Sequence, residues 1–228
     1  MHSIIYSALI GTGMADLVRM QAALDAMASN VTDRALTSQM GAALDNFNEY
    51  GCWCYFGDMH GKGKSHATDE IDAYCQVLAE GYDCAVLDGD DENEPCIPWE
   101  VDYDSSTVNL DAVPEMCGER NTGSNCAVRA CIVEQTFVTS IFQSFLFGVS
   151  MDATKKHSNT PDFVEQNCPT KECLDGPGMC QSEKSCCGIY PTRRVFKTHG
   201  GTRGCCGSKT YDQDIMQCCG PDSVKLVC

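Results

Sequence analysis

The sequence predicts a mainly α, disulfide-rich protein: a helical core followed by a small, disulfide-stapled C-terminal module of β-strands and turns. Eighteen cysteines in 228 residues approach the density of a disulfide scaffold. Apolar residues recur with helical period in two long segments upstream of residue 150. Beyond residue 183 the triplet Cys-Cys-Gly occurs three times, as Cys186-Cys187-Gly188, Cys205-Cys206-Gly207 and Cys218-Cys219-Gly220. The chain divides accordingly into an N-terminal helical segment over 1–39, a helical domain over 40–150, a polar connector over 151–183 and a di-cysteine module over 184–228.

Leu17, Met20, Leu24, Met27 and Val31 follow one another at three-four-three-four spacing, which sets them on one helical face. Such a stripe normally packs on its own domain; the alternative is an exposed face that meets a neighbouring molecule. Residues 46–84 supply a loop and a first disulfide-tied helix. Asn125–Ser150 reads as a second long helix, apolar through Ile132, Val133, Phe137, Val138, Ile141, Phe142, Phe145, Leu146 and Phe147, a face rich enough to be core. Within the C-terminal module, neighbouring cysteines meet the separation and direction of a disulfide only with strain. Each pair should therefore reach two other segments.

The cysteines fall into two groups. Cys52, Cys54, Cys75, Cys84, Cys96, Cys117, Cys126 and Cys131 form the first; Cys168, Cys173, Cys180, Cys186, Cys187, Cys205, Cys206, Cys218, Cys219 and Cys228 form the second. That split suggests two separately stapled units. The Cys-x₂-Cys pairs favoured by structural zinc do not occur and histidine is scarce, so disulfides outweigh metal as the explanation. Disulfides imply an oxidising, extracellular setting and a secreted chain. The apolar run Ile4–Ile10 lacks a basic flank and a small-x-small cleavage site, which makes it a weak leader or leaves the leader upstream. No stretch approaches the length of a membrane-spanning helix. Asn30-Val31-Thr32 is a glycosylation sequon and marks Asn30 as the glycoprotein site.

Charge is unevenly placed. Between Ala85 and Met116 stand ten acidic residues and no basic one. Asp88-Gly89-Asp90-Asp91-Glu92 begins like a calcium loop, but Asn93 and Trp99 occupy the positions where an EF-hand needs glycine and a bidentate glutamate. What remains is a solvated acidic surface with at most weak calcium association. A net charge of −16 argues against nucleic acid and anionic membranes as partners. Residues 181–228 carry seven basic against four acidic side chains. A basic tail on an acidic body suits head-to-tail contacts between copies, and contacts that do not close into a ring give filaments.

Asn46-Phe47-Asn48-Glu49-Tyr50-Gly51-Cys52-Trp53-Cys54, then Gly61-Lys62-Gly63, Thr68-Asp69 and Asp72-Ala73-Tyr74-Cys75-Gln76-Val77-Leu78-Ala79, resemble the calcium loop and catalytic helix of secreted phospholipase A₂. The resemblance covers roughly residues 40–135 and is strongest in its first half. The family reads Tyr-Gly-Cys-x-Cys-Gly-x-Gly-Gly, then Asp-x-Cys-Cys-x-x-His-Asp. Leu78 stands at the place of the catalytic histidine and Ala79 at that of the calcium aspartate; sliding by one residue offers Ala79 and Glu80, still without a base. The family's calcium-binding carbonyls map onto Trp53, Tyr55 and Gly57, while Tyr55 and Asp58 replace glycines and reduce the loop's backbone freedom. The second carboxylate of the family's dyad follows a Cys-x-Cys, whereas here Glu134 is the first carboxylate after Cys126 and Cys131.

Calcium-assisted ester hydrolysis needs a neutral imidazole as base and a cation held by hard oxygens. None of His2, His60, His66, His157 and His199 lies between Asp72 and Asp83. The resemblance thus implies a phospholipase-like frame with no catalytic residue, no cofactor and no resident metal. The di-cysteine repeat is similar to galaxin-type proteins of mineralised animal matrices and to tails of marine-invertebrate phospholipase-like proteins. Together these resemblances imply a secreted, non-catalytic structural protein that assembles with itself in an extracellular matrix or filament. The alternatives are a binding module whose cleft holds a hydrophobic ligand or receptor, and a weakly active calcium-dependent phospholipase.

Overall fold

The computed structural model describes residues 15–29, 31–33, 37–38, 40, 43–90, 94–105, 112–169 and 183–228. The sequon residue Asn30, the run Ile4–Ile10 and the cysteines Cys173 and Cys180 lie outside the described residues. The helices are α1 (Ala15–Ala28), α2 (Ala43–Phe47), α3 (Glu70–Asp88), α4 (Val113–Arg120), α5 (Asn125–Leu146) and α6 (Phe163–Asn167). Strands β1 (Lys184–Cys187), β2 (Arg194–Lys197), β3 (Arg203–Cys206), β4 (Lys209–Asp212), β5 (Gln217–Cys218) and β6 (Val224–Lys225) follow as three antiparallel hairpins. Among the described residues the chain is therefore disulfide-rich and mainly helical, with small sheets in its C-terminal part.

The body is built on α3 packed against α5. Helix α3 starts where the Asp69 carboxylate accepts the Asp72 N–H at 2.9 Å, and Glu70 and Asp72 lie in its first turn, where the helix dipole favours negative charge. Gly89, at φ +67°, ends it. Helix α5 is capped by Ser124, whose hydroxyl accepts the Ala127 N–H at 3.0 Å. Gly81 of α3 faces Val133 of α5, and a Cβ there would lie 2.9 Å from both valine methyls, so glycine sets how closely the two helices approach. Met20, Leu24, Phe47, Tyr82, Phe137 and Ile141 are buried in the shared core, and each contributes roughly 1.5–3 kcal/mol by leaving water. Leu17, Met20 and Leu24 of the α1 stripe are buried there, with Met27 and Val31 packed against the same cluster. The stripe thus faces its own domain. Helix α5 ends its burial before its apolar run does, and Phe147 stands 86% exposed.

The cysteine pairing corrects the expectation of two separately stapled units. Cys54–Cys75, Cys96–Cys126 and Cys117–Cys131 lie within the first group, but Cys52–Cys168 and Cys84–Cys186 join the two. The reason lies in the path taken after α5. Gly51 N–H donates to the Lys155 carbonyl and His157 N–H to that of Glu49, both at 3.0 Å, so the segment from Asp152 onward is laid along the Gly51 loop before Cys168 reaches Cys52. In the module the di-cysteine pairs form a chain of links: Cys187–Cys205, Cys206–Cys218 and Cys219–Cys228. In each pair one cysteine bridges backward and its neighbour forward. None of the described cysteines is free, which fits an oxidising, extracellular setting. No described helix is long and apolar enough to cross a membrane.

The module sits on the C-terminal half of α3. Cys84–Cys186 fixes β1 beside that helix. Arg193 then grips Asp88 with two hydrogen bonds of 2.8 Å, joined by the Tyr190 hydroxyl at 2.9 Å. Lys184 reaches Asp83 at 3.4 Å. An opposite-charge contact expected between copies is thus made within one chain.

Candidate functional site

The loop from Tyr50 to Thr68 is organised by one carboxylate. Asp72 is fully buried and accepts from Cys52 N–H at 2.8 Å, Trp53 N–H at 2.7 Å, Thr68 N–H at 2.8 Å and the Thr68 hydroxyl at 3.1 Å. Burial pushes its pKa above the ordinary carboxylate value, against the pull of these donors. Gly51 lets the loop come this close: its φ is +59°, and a Cβ would lie 2.3 Å from the Asp72 carboxyl carbon. Cys54–Cys75 bolts the same loop to α3. Beside it, Asp69 accepts from the Tyr50 hydroxyl at 2.5 Å and from Lys155 Nζ at 2.7 Å. Burial alone would raise Asp69, but the Asp72 N–H, Lys155 and Tyr50 outweigh it and hold the carboxyl below its usual value.

Leu78 and Ala79 lie on the buried side of α3, and Leu78 is part of the main core. Tyr82, one turn further on, donates its hydroxyl to Glu134 at 2.6 Å. Tyr103 donates to the other carboxylate oxygen at 2.7 Å, and Arg19 donates through Nη2 at 2.7 Å and Nε at 3.2 Å. Glu134 is fully buried. Burial pushes its carboxyl upward, opposed by Arg19 and the two phenols. Burial, and then the glutamate's charge, hold Tyr82 and Tyr103 well above the ordinary phenol value.

A carboxylate has about four lone-pair positions. Glu134 meets two donors on each oxygen and keeps no free position for a metal ion or for orienting a base, whereas Asp72 meets three on Oδ2 and one on Oδ1 and is closed off by its complete burial. Of the carbonyls mapped onto calcium ligands, Trp53 O accepts from Tyr55 N–H and Gly57 O from His60 N–H. Among the described residues no group of three or more His, Cys, Asp or Glu side chains is placed to hold a metal. Of the three histidines near this region, His66 is exposed and the other two face other partners. His60 Nε2 lies 3.3 Å from Asp83 under the Trp99 ring, and His157 Nε2 lies 2.8 Å from the Gly51 carbonyl, to which it donates. In the acidic segment, Asp88 is held by Arg193, and Asp90 accepts from the Ser124 hydroxyl and the Cys126 N–H at the start of α5. Asp91, Glu92 and Asn93 lie outside the described residues.

The structure thus brings Leu78, Tyr82 and Glu134 to the α3–α5 contact, with Arg19 and Tyr103 closing over the glutamate. Tyr82 was open to detection, since it falls four residues after Leu78 on the same helical face. Arg19, 115 residues from its partner, carried no signal in the sequence. No family model, no curated protein and no solved structure matches this chain.

Proposed function

We propose that this is a secreted, non-catalytic structural protein in which a phospholipase A₂-like frame serves as a cross-linked carrier for the C-terminal module. The observation that carries the reading is the saturation of the buried Glu134 carboxylate and the complete burial of Asp72 under its own donors, with the apolar Leu78 and Ala79 on the buried side of α3. A base and an oxyanion-stabilising cation are the two things ester hydrolysis needs. The described side chains around α3 offer a leucine, an alanine and acceptors already occupied. Phospholipid vesicles incubated with purified protein and about millimolar calcium should release no fatty acid above a buffer blank. Calcium-dependent release that co-purifies with the chain through successive columns would overturn the proposal.

Self-assembly is a second reading, and the surfaces that support it differ from those expected. Arg193 is engaged by Asp88 of its own chain and the α1 stripe is core. Support comes instead from exposed apolar side chains, with Ile189 79%, Leu226 67% and Val227 78% accessible on the module and Phe147 beyond α5. Association through these would strengthen with salt, whereas a charge-driven contact would weaken. Sedimentation velocity at low and high salt separates the two, and a monomer at every concentration and salt removes the reading.

A further inference from the structure

The C-terminal module holds a groove of about 570 Å³ whose rim carries Arg194 of β2, Arg203 of β3 and Lys209 of β4, over a wall of Tyr211, Met216 and Val224. These three cations differ from the described lysines and arginines that stand in salt bridges. Acidic residues outnumber basic ones two to one in the chain, and Arg19, Lys155, Lys184 and Arg193 each meet a carboxylate. No described carboxylate lies within salt-bridge range of Arg194, Arg203 or Lys209, and all three are exposed. Arg203 donates to the Thr210 hydroxyl at 2.8 Å and Lys209 to the Asp222 carbonyl at 3.1 Å. The carboxylate at the groove, Asp212, is turned to the Asp214 N–H at 2.9 Å. From Lys184 onward there are seven basic and three acidic side chains, against nine and twenty-nine before it. The module therefore has the opposite sign to the body.

Its walls are also fixed. Cys187–Cys205 and Cys206–Cys218 lock neighbouring hairpins together, so little ordering cost accompanies binding. The groove falls within the roughly 300–1,000 Å³ range of small-ligand sites. A standard protein interface needs about 800 Å² from each partner, which favours a slender occupant. A sugar ring bearing sulfate or carboxylate offers an apolar face to Tyr211 and Met216 and anions to the rim. At physiological salt the body's negative field is screened within about 8 Å, so a short segment responds mainly to the groove's own charge.

We propose that this groove binds a short segment of an anionic polysaccharide, with its sulfate or carboxylate groups on Arg194, Arg203 and Lys209. This goes beyond the non-catalytic reading and does not depend on it. The test measures binding of the full, disulfide-intact chain to a heparin-derived tetrasaccharide and to a sulfate-free oligouronate, with oligoglutamate and oligouridylate as competing polyanions. At least one sugar should bind, and affinity should fall with salt as counterions are released. The triple variant Arg194→Gln, Arg203→Gln and Lys209→Gln should weaken binding about tenfold or more and flatten the salt dependence. Arg194→Gln alone should weaken it about threefold, which keeps the test valid should the triple variant fold poorly. Lys62→Gln with Lys64→Gln, on the body, should leave affinity within about twofold. The two sugars separate sulfate from carboxylate recognition. Binding of neither sugar, wild-type affinity in the folded variants, or equally tight binding of oligoglutamate or oligouridylate would overturn the proposal.

Discussion

Replacing Arg19 by methionine isolates what the buried Glu134 centre contributes. Arg19→Met keeps much of the side chain's length and removes the only guanidinium on a carboxylate with no exposure to solvent. The hydroxyls of Tyr82 and Tyr103, at 2.6 and 2.7 Å, remain. Removing one partner of a buried ion pair typically costs about 3–5 kcal/mol. Because two phenol hydrogen bonds survive, the lower end applies, about 3 kcal/mol at neutral pH. For a chain of this length that lowers Tm by about 6–12 °C.

The pH dependence supplies a second handle. Burial already holds Glu134 above its unfolded value, and loss of Arg19 raises it further. A carboxyl raised on folding favours the folded state when protonated, so the variant's deficit is smallest below the unfolded value of about 4.3. It stays at that level until the wild-type carboxyl ionises at its own raised value, then grows by about 1.4 kcal/mol per pH unit until the variant's carboxyl ionises too, and is flat beyond. Denaturant unfolding of the oxidised protein at pH values near 4 and near 7.5 measures this directly. The double variant Arg19→Met, Glu134→Gln should recover more than half of the loss, since the uncompensated charge is gone. A single variant within about 0.5 kcal/mol of wild type at both pH values would refute the account of Glu134 as a buried, paired anchor.

Three further outcomes are expected. Leu78→His with Ala79→Asp should leave fatty-acid release at background, because Tyr55 and Asp58 still limit the loop's backbone freedom, and should cost about 2 kcal/mol or more by placing polar groups in a core site; turnover in that variant would show the loop to be competent. Cys84→Ser with Cys186→Ser should free the module from α3: although the cysteines are 102 residues apart, Cys54–Cys75 and Cys52–Cys168 already shorten the closed circuit. That circuit is about thirty residues, so the bridge is worth about 3.5 kcal/mol rather than about 4.7, and amide exchange in β1 and β2 should rise; unchanged protection there would contradict the pairing. Asp69, Asp83 and Asp88 are held below their ordinary values by their partners despite burial, so their stabilisation is present above about pH 4 and is lost as pH falls through the folded values. Asp88→Asn should therefore reduce the acid sensitivity of unfolding and cost about 1 kcal/mol near neutrality, the pair being only partly buried.

The legible parts of this fold were those governed by local rules. The α1 stripe announced itself through spacing, and the module through adjacent cysteines that bridge each other only with strain. The unread parts depend on long-range closure. Nothing local to Cys52 or Cys168 marks their pairing, because it follows from the way Lys155 and His157 return to the Gly51 loop. Grouping cysteines by sequence assumed that each unit closes on itself, and Cys84–Cys186 shows the module closing on the body instead. Asp88 was read as solvated for the same reason, since its partner Arg193 lies 105 residues away. At the candidate site, Leu78 and Ala79 could be read from the motif, whereas the donors that saturate Glu134 come from three separate segments.

The contrast between these residues explains how α3 and α5 hold together around the apolar Leu78. Glu134 and Asp72 organise eight donors, among them a guanidinium 115 residues from Glu134 and the backbone N–H groups of Cys52, Trp53 and Thr68. Substituting either carboxylate by an apolar side chain would leave several buried donors unpaired, and each such group costs about 1–3 kcal/mol. Leu78 has no polar partner to lose. An apolar replacement of similar volume there costs under about 1.5 kcal/mol. The polar groups that remain buried in this centre are thus the ones folding requires, and the position beside them is free to be whatever fills the space between α3 and α5. Buried carboxylates alone are therefore a poor sign of catalysis. The informative test is whether any of their acceptor positions is left open to a ligand, and on Glu134 none is.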